Sequence, residues 1–91
     1  MIKQGGVASM LTTVKFFAFL AEKTHKTEVK LNLQQCQTVG EVREVISSEF
    51  PEIAVDLATC MLAVNMEFQQ DQDFLPEEIT EIAVIPPVSG G

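Results

Sequence analysis

The sequence predicts one α+β domain in which a single amphipathic helix covers one face of a β-sheet. Three observations support this: short stretches alternate apolar and polar residues as strands do, one stretch has clear helical periodicity, and that stretch follows the first pair of strands. A length of 91 residues suits one domain with a modest core. Because one helix covers one face, the other face, here called the open face, lacks a cover.

The N-terminal part of the domain predicts a β-hairpin. Residues 12–20 are rich in strand-forming residues, and residues 27–33 alternate as a second strand. Residues 22–25, which include the lone histidine His25, are predicted to form the turn between them. In the first strand, one face would carry Val14, Phe16, Ala18 and Leu20, and the other Lys15, Phe17 and Phe19.

The helix is predicted to begin at Thr38, because Thr38 and Glu41 have the spacing of a capping box. Pro51 should end it. The helical spacing of its apolar residues predicts the side that packs on the sheet; they are Val39, Val42, Ile46 and Phe50.

Three further strands complete a predicted sheet of about five. Residues 52–59 show no clear period and predict an irregular or single-turn connection. Residues 61–65 read as a short buried strand, Asn65 suits a turn, residues 67–70 form a minor strand, and residues 81–85 form the last strand. Pro86 and Pro87 then lack backbone donors, so the chain must leave the sheet.

The open face is predicted to carry an apolar surface formed by Phe17, Phe19, Ala83 and Ile85. An exposed apolar patch of this kind indicates a surface that binds a partner. The alternative is a different strand register, in which Phe17 or Phe19 lies in the core.

Charge restricts the class of partner. The chain has 6 basic and 13 acidic residues, for a formal net charge of −7. This charge repels phosphate backbones and anionic lipid, so we expect no nucleic-acid or membrane binding. No apolar run is long enough to span a bilayer, and we expect a cytoplasmic protein with basic protein partners.

No metal site or catalytic grouping is predicted. Cys36 and Cys60 are far apart in sequence and the chain has one histidine, so a zinc ligand set cannot be assembled and reduced, structural thiols are expected. Neither a nucleophile, histidine and acid set nor a glycine-rich phosphate loop is indicated. These absences argue against a free-standing enzyme.

Domain boundaries follow from the same reading. Residues 1–11 have no periodicity and are predicted to be an N-terminal extension without an assigned role. Residues 12–85 form the domain, and residues 86–91 form an extended tail.

The tail carries the predicted chemistry. Gly90 and Gly91 have no Cβ, so this end of the chain could enter a narrow tunnel, and Pro86, Pro87, Val88 and Ser89 form a spacer before it. The terminal carboxylate of Gly91 is a functional group on this arm. Its attack on the α-phosphate of ATP would give an acyl-adenylate, and a sulfur donor could then displace AMP to leave a thiocarboxylate.

Three segments carry a resemblance to a known family. They are Phe16-Phe17-Ala18, Ala63-Val64-Asn65 and Pro86-Pro87-Val88-Ser89-Gly90-Gly91. Over residues 12–91 the chain resembles the MoaD-type branch of the MoaD/ThiS sulfur-carrier family, which is related in fold to ubiquitin. The resemblance implies a β-grasp fold.

The resemblance also implies a role and partners. Gly91 would be adenylated by an ATP-dependent, E1-like activating enzyme and converted to a thiocarboxylate with sulfur from a donor protein. The tail would enter the large catalytic subunit of molybdopterin synthase and give sulfur to cyclic pyranopterin monophosphate, within a heterotetramer of two small and two large subunits. Family members dock through apolar residues that correspond to Phe17, Phe68 and Ile85, and no cofactor is expected on this subunit itself.

One departure and several alternatives accompany this resemblance. Many relatives have a glycine-containing turn before the last strand, whereas residues 76–81 contain no glycine. A carrier for thiamine synthesis or tRNA thiolation shares the Gly-Gly end, although not usually the spacer. A ubiquitin-like modifier would join Gly91 to lysines of other proteins, and an inert binding module would use the open face alone.

Overall fold

The computed structural model describes residues 11–87, which form a five-stranded sheet, three α-helices and one 3₁₀ turn. The predicted strands and the main helix are all present. In chain order the elements are β1 (Leu11–Phe16), α1 (Phe19–Thr24), β2 (Glu28–Asn32), α2 (Val39–Glu49), a 3₁₀ turn (Pro51–Ile53), α3 (Ala54–Leu57), β3 (Met61–Val64), β4 (Glu67–Gln69) and β5 (Glu81–Ile85).

The sheet has the spatial order β2-β1-β5-β3-β4. Strands β1 and β5 pair in parallel, whereas the pairs β1–β2, β3–β5 and β3–β4 are antiparallel. The sheet is therefore mixed, and the last strand along the chain occupies its centre. This arrangement confirms the predicted α+β class.

The core lies between the sheet and α2. The capping box forms as predicted, because the Thr38 hydroxyl accepts from the Glu41 amide at 3.3 Å and the Glu41 carboxylate accepts from the Thr38 amide at 3.2 Å. The loop after β4 satisfies two further amides of the first turn, through the carbonyls of Asp71 and Asp73. The buried residues of α2 are Val39, Val42 and Ile46, and those that the sheet contributes to the same cluster are Val14, Phe16, Leu62, Val64, Ile82 and Val84.

The first strand is shorter at its C-terminal end than predicted. It begins at Leu11, inside the predicted extension, and ends at Phe16. Ala18 then has φ 56° and ψ −134°, a conformation that extended strands do not adopt. Helix α1 follows, so the prediction of a strand over residues 12–20 is wrong beyond Phe16, although Leu20 is fully buried as expected. Leu20 reaches the core from a helix.

The connection between α2 and β3 consists of the 3₁₀ turn and α3, in agreement with the irregular or single-turn connection predicted there. Arg43 of α2 holds it in place. The guanidinium donates to the carbonyls of Leu57 and Cys60 and forms an ion pair with Asp71 at 2.8 Å. One side chain therefore joins α2, α3 and the loop after β4.

Candidate functional site

The open face carries a row of side chains that crosses four strands. Ala83 of the central strand β5 is paired with Lys15 on one side and with Ala63 on the other, and Ala63 is paired with Phe68 of β4. Directly opposite residues project to the same face of a sheet. The row is therefore charged at β1 and apolar from β5 to β4.

A second row lies beside the first, towards the C-terminal end of β5. Ile85 is paired with Met61 of β3. Phe17 directly follows Phe16, whose partner is Val84, so Phe17 and Ile85 are neighbours at the ends of the parallel pair. The two rows together form an apolar patch, defined here as Phe17, Met61, Ala63, Phe68, Ala83 and Ile85.

The large side chains of this apolar patch are accessible. Phe17, Met61 and Phe68 are 45 %, 46 % and 60 % exposed, and Ile85 is half-buried. By contrast, Ala63 and Ala83 are nearly buried, because larger neighbours surround them. The two alanines therefore form a shallow depression between the rings of Phe17 and Phe68, a shape that favours binding of a complementary apolar surface.

The three predicted docking residues are brought to one surface. Phe68 and Ile85 lie on the open face through strand register, and Phe17 lies beside Ile85. The alternative register, with Phe17 or Phe19 in the core, is wrong because both are more than one-third exposed. Phe19 does not extend the strand, however. It lies in α1, where the Lys23 ammonium is 5.5 Å from its ring centre.

Met61 and Ala63 are the members of the apolar patch that the sequence did not reveal, and Met61 is the exposed one. Residues 61–65 were interpreted as a buried strand, but Met61 faces away from the core while Leu62 faces into it. The alternation of side chains along β3 is not evident from burial. Ala63 lies on the same side of the sheet as Met61, but its neighbours cover it and it is nearly as buried as Leu62. A period of two within a four-residue strand is too short a signal.

The other half of the open face is polar. Lys15 and Glu81 form an ion pair at 3.1 Å, and Glu28 of β2 lies directly opposite Lys15. Lys30, two residues further along β2, is paired with Thr13. This polar border limits the apolar patch to β5, β3 and β4 and, through Phe17, to the end of β1.

The tail leaves the sheet beside the apolar patch. Pro86 is half-buried and Pro87 is exposed, directly after the last residue of β5. Neither proline has an N–H to continue the ladder, so the strand ends there as predicted. The other predicted tail residues lie outside the described residues; they are Val88, Ser89, Gly90 and Gly91.

Asn65 holds the segment before β5, which contains no glycine. Its side-chain amide donates to the Glu78 carbonyl at 2.8 Å, and its side-chain oxygen accepts from the amide of Thr80 at 2.7 Å and from the Thr80 hydroxyl at 2.9 Å. Its backbone N–H donates to Glu81 at 3.0 Å. One residue therefore fixes both the β3–β4 turn and the start of β5.

The two cysteines in the described part of the chain are not activated as nucleophiles. Burial raises the pKa of the Cys60 thiol, and the nearby Asp56 carboxylate raises it further. For Cys36, burial is again the main cause of a raised pKa, and the charge of Glu41 adds to it. Both thiols are free and remain protonated, as expected of structural cysteines. His25 caps the end of α1 in a left-handed conformation, with φ 62°.

The described residues contain neither a metal-binding cluster nor a membrane-spanning helix. No cluster of three or more potential metal ligands occurs in the described part of the chain. No helix there has the length and apolar character needed to cross a bilayer. A cleft of about 900 Å³ is present, but it includes Thr12 and Thr80 and so lies at the opposite end of the sheet from the tail.

Comparison with known families identifies the chain. Residues 14–91 match the family described as the ThiS family. The chain belongs to the ThiS family. This match spans β1 to β5 and continues through the Gly-Gly end, so it includes the apolar patch and the tail.

Curated relatives of this ThiS-family chain share one description. The molybdopterin synthase sulfur carrier subunit of Caenorhabditis briggsae is 35 % identical over 79 residues, which are 86 % of this chain and 94 % of the relative. The subunit of the same name from Caenorhabditis elegans is 34 % identical, with the same coverage. The chain therefore resembles these carriers over nearly their whole length.

Solved structures show the same β-grasp fold. SAMP1 from Haloferax volcanii has a TM-score of 0.71 at 23 % identity and covers 89 % of this chain and 99 % of its own. A putative molybdopterin converting factor subunit 1 from Pyrococcus furiosus also has a TM-score of 0.71, at 22 % identity, with 88 % and 100 % covered. The ubiquitin-like β-grasp architecture predicted for this ThiS-family chain is thus confirmed.

Proposed function

We propose that this chain is the sulfur-carrier subunit of a molybdopterin synthase. One observation carries the proposal: the central strand β5 ends beside an exposed apolar patch, and the sequence that follows it ends in Gly-Gly. The names of the curated relatives support the same function. In this proposal the covered face stabilises the domain, the open face binds the partner, and the tail carries the sulfur.

The chemistry begins at the terminal carboxylate of Gly91. An oxygen of this carboxylate attacks the α-phosphorus of ATP in an E1-like enzyme, and pyrophosphate leaves. The resulting acyl-adenylate has AMP as a good leaving group. A sulfur donor protein then delivers a sulfide equivalent to the carbonyl carbon, AMP leaves with one carboxylate oxygen, and Gly91 ends in a thiocarboxylate.

The second half of the reaction occurs in a partner. The thiocarboxylate sulfur attacks a carbon of cyclic pyranopterin monophosphate in the active site of the large subunit and displaces an oxygen substituent from that carbon. Hydrolysis of the resulting thioester then leaves the sulfur on the substrate and releases the original carboxylate. A dithiolene contains two sulfurs, so two loaded carriers are required for each product. This chain supplies the sulfur and its position, and the large subunit supplies the catalytic groups.

The apolar patch explains how the arm reaches its target. Burying Phe17, Met61 and Phe68 against the large subunit would remove apolar surface from water and so drive association. Because Ile85 belongs to the patch and Pro86 follows it, docking fixes the point from which the tail starts. A complex of subunits 1 and 2 of the molybdopterin-converting factor is known from Helicobacter pylori, at a TM-score of 0.58 and 23 % identity for the matched chain.

Intact mass after loading is the direct test. The full chain is incubated with an activating enzyme, ATP and a sulfur donor, and we expect a mass gain equal to the difference between sulfur and oxygen. The gain must be confined to the C-terminal peptide. Adducts that join Gly91 to lysines of other proteins would instead establish a ubiquitin-like modifier and contradict the proposal.

A tail deletion tests the same proposal functionally. Removing Gly91, or adding one residue after it, should abolish molybdopterin formation because the reacting carboxylate is displaced. The free energy of unfolding should stay within about 0.5 kcal/mol of the parent value, as for other surface changes. Molybdopterin formation by the shortened chain would rule out the carrier function.

A further inference from the structure

Strand β2 is a free edge of the described sheet, since it pairs with β1 and has no partner strand on its other side among residues 11–87. It contains no proline, and its sequence is Glu28-Val29-Lys30-Leu31-Asn32. Edge strands of this kind can pair with another strand unless the sequence prevents it. The distribution of charge along β2 decides which pairing is allowed.

The direction of the backbone groups of β2 follows from one hydrogen bond. The Phe16 amide donates to the Thr27 carbonyl at 2.9 Å, so the backbone groups of Thr27 point towards β1. Because these directions alternate along an antiparallel strand, Val29 also points inward. The N–H and C=O groups of Glu28 and Lys30 therefore point outward, away from β1.

An antiparallel partner must place its own outward groups opposite these. If the partner is a second copy, two-fold symmetry leaves few registers. A register centred on Lys30 would place Lys30 opposite its own copy, and one centred on Glu28 would do the same for Glu28. A register centred on Val29 instead places each Glu28 opposite a Lys30, twice. Opposite charges directly across a sheet stabilise it, and like charges destabilise it.

The wider charge distribution favours the same edge. The chain carries a formal net charge of −7, so two copies repel each other over most of their surface. Along the exposed edge, however, Lys26 and Lys30 outnumber the single acidic residue Glu28. Self-association through β2 therefore brings the copies together where this acidic protein repels itself least.

We propose that two copies of this chain associate through antiparallel pairing of their β2 strands, in the register centred on Val29. The two sheets then form one continuous sheet, with both α2 helices on one side and both open faces on the other. The half-buried side chains Val29 and Leu31, which pack at the edge of each core, gain cover from the second copy.

This self-association does not use the surface assigned to sulfur transfer. In the order β2-β1-β5-β3-β4, the apolar patch lies on β5, β3 and β4, with Phe17 directly after the end of β1, whereas the self-pairing edge is β2. The two apolar patches remain accessible in the pair. The proposal therefore stands or falls independently of the proposed function.

Charge exchange tests the register. In K30E, Glu28 faces a second glutamate, and in E28K, Lys30 faces a second lysine, so each variant alone should dimerise at least about tenfold more weakly than the parent chain. In an equimolar mixture, a dimer of one K30E chain and one E28K chain places both glutamates of the first chain opposite both lysines of the second. We expect the mixture to dimerise at least as well as the parent in sedimentation velocity of the full chain.

Lys26→Glu is the matched control, because it changes the net charge by the same amount as K30E but faces the neutral Asn32 in this register. It should leave dimerisation within about threefold of the parent. Circular dichroism establishes whether each variant is folded. If a single variant does not fold, the double variant E28K/K30E provides the test, because it restores both opposite-charge pairs.

Amide hydrogen exchange gives a second readout on the unmodified chain. The amides of Glu28 and Lys30 should become protected as the protein concentration rises, while the Val29 amide, already bonded to β1, should not change. A parent chain that remains monomeric to millimolar concentration would overturn the proposal. So would variants that do not weaken it, a mixture that does not associate, or unchanged exchange at Glu28 and Lys30.

Discussion

The two faces of the sheet use alternate residues of the same strands for different purposes. On the covered face, Phe16, Ile82 and Val84 are at most 3 % exposed and pack with α2 and the connection that follows it. On the open face, Phe17 and Met61 remain nearly half exposed although each is the immediate neighbour of a buried residue. Stability is thus concentrated on one side of the sheet, which leaves the other side free to be selected for binding.

The sharpest test of this difference uses the adjacent pair Phe16 and Phe17. Phe16 is buried and forms an edge-to-face contact with Phe50, with ring centres 5.2 Å apart. Phe16→Ala should lower the free energy of unfolding by about 3–5 kcal/mol, the usual cost of deleting a buried phenylalanine. Phe17→Ala should cost about 1 kcal/mol or less.

Urea denaturation of both variants measures the two values under the same conditions. Equal losses would show that the open face contributes to the core. As a more severe change, Phe17→Asp should weaken association with the large subunit and leave the monomer folded. Marked unfolding of this variant would contradict the assignment of Phe17 to the open face.

Binding should respond in the opposite way to stability. Phe68→Ala removes the most exposed ring of the apolar patch and should weaken association with the large subunit by about 2 kcal/mol, or roughly thirtyfold. Isothermal titration calorimetry measures this affinity. Phe74→Ala is the control, because Phe74 is 75 % exposed but lines the cleft at the other end of the sheet. Equal effects of the two changes would refute a localised docking surface.

Asn65 contributes both to stability and to the open face, because its side chain holds the β3–β4 turn and this turn precedes Phe68. Asn65→Ala removes the hydrogen bonds to Glu78 and Thr80 and should lower the free energy of unfolding by about 1–3 kcal/mol. Asn65→Asp keeps the acceptor and should lose less.

The matched control for Asn65→Ala is Asn32→Ala, since the Asn32 side chain accepts only a local hydrogen bond from the Gln34 amide. We expect a change of about 0.5 kcal/mol for this control, typical of surface positions. Thermal unfolding ranks the three variants. An equal loss of unfolding free energy for Asn32→Ala and Asn65→Ala would mean that the Asn65 hydrogen bonds to Glu78 and Thr80 stabilise the fold no more than a local surface bond does.

The smallest expected effect concerns backbone strain beside the open face. Ala18 has a positive φ of 56° directly after Phe17, a conformation that favours glycine. Ala18→Gly should therefore raise the free energy of unfolding by about 1 kcal/mol. Ala58→Gly is the control, because Ala58 has φ −60° and glycine should destabilise it. If both substitutions destabilise the chain, Ala18 is not strained.

Much of this architecture could be predicted from local patterns with a direct physical cause. The capping box located the start of α2, and the two prolines located the end of β5. Phe68 and Ile85 were assigned to the docking surface by resemblance, and strand register places both on the open face.

The errors have equally specific causes. The apolar residues after Phe16 fit a strand as well as a short helix, and only the end of pairing with β2 and the turn at Ala18 separate the two. Met61 was missed because its exposure depends on which strands flank it. Strand order is a long-range property, and local periodicity does not contain it.

The parallel pairing of β1 and β5 has a mechanical consequence for the domain. The two strands lie side by side at the centre of the sheet and point the same way, so tension between the start of β1 and the end of β5 acts along the strands. Their hydrogen bonds are then loaded in shear and must break together, rather than one at a time as in unzipping. A pull between these two ends is therefore resisted by the whole central pair.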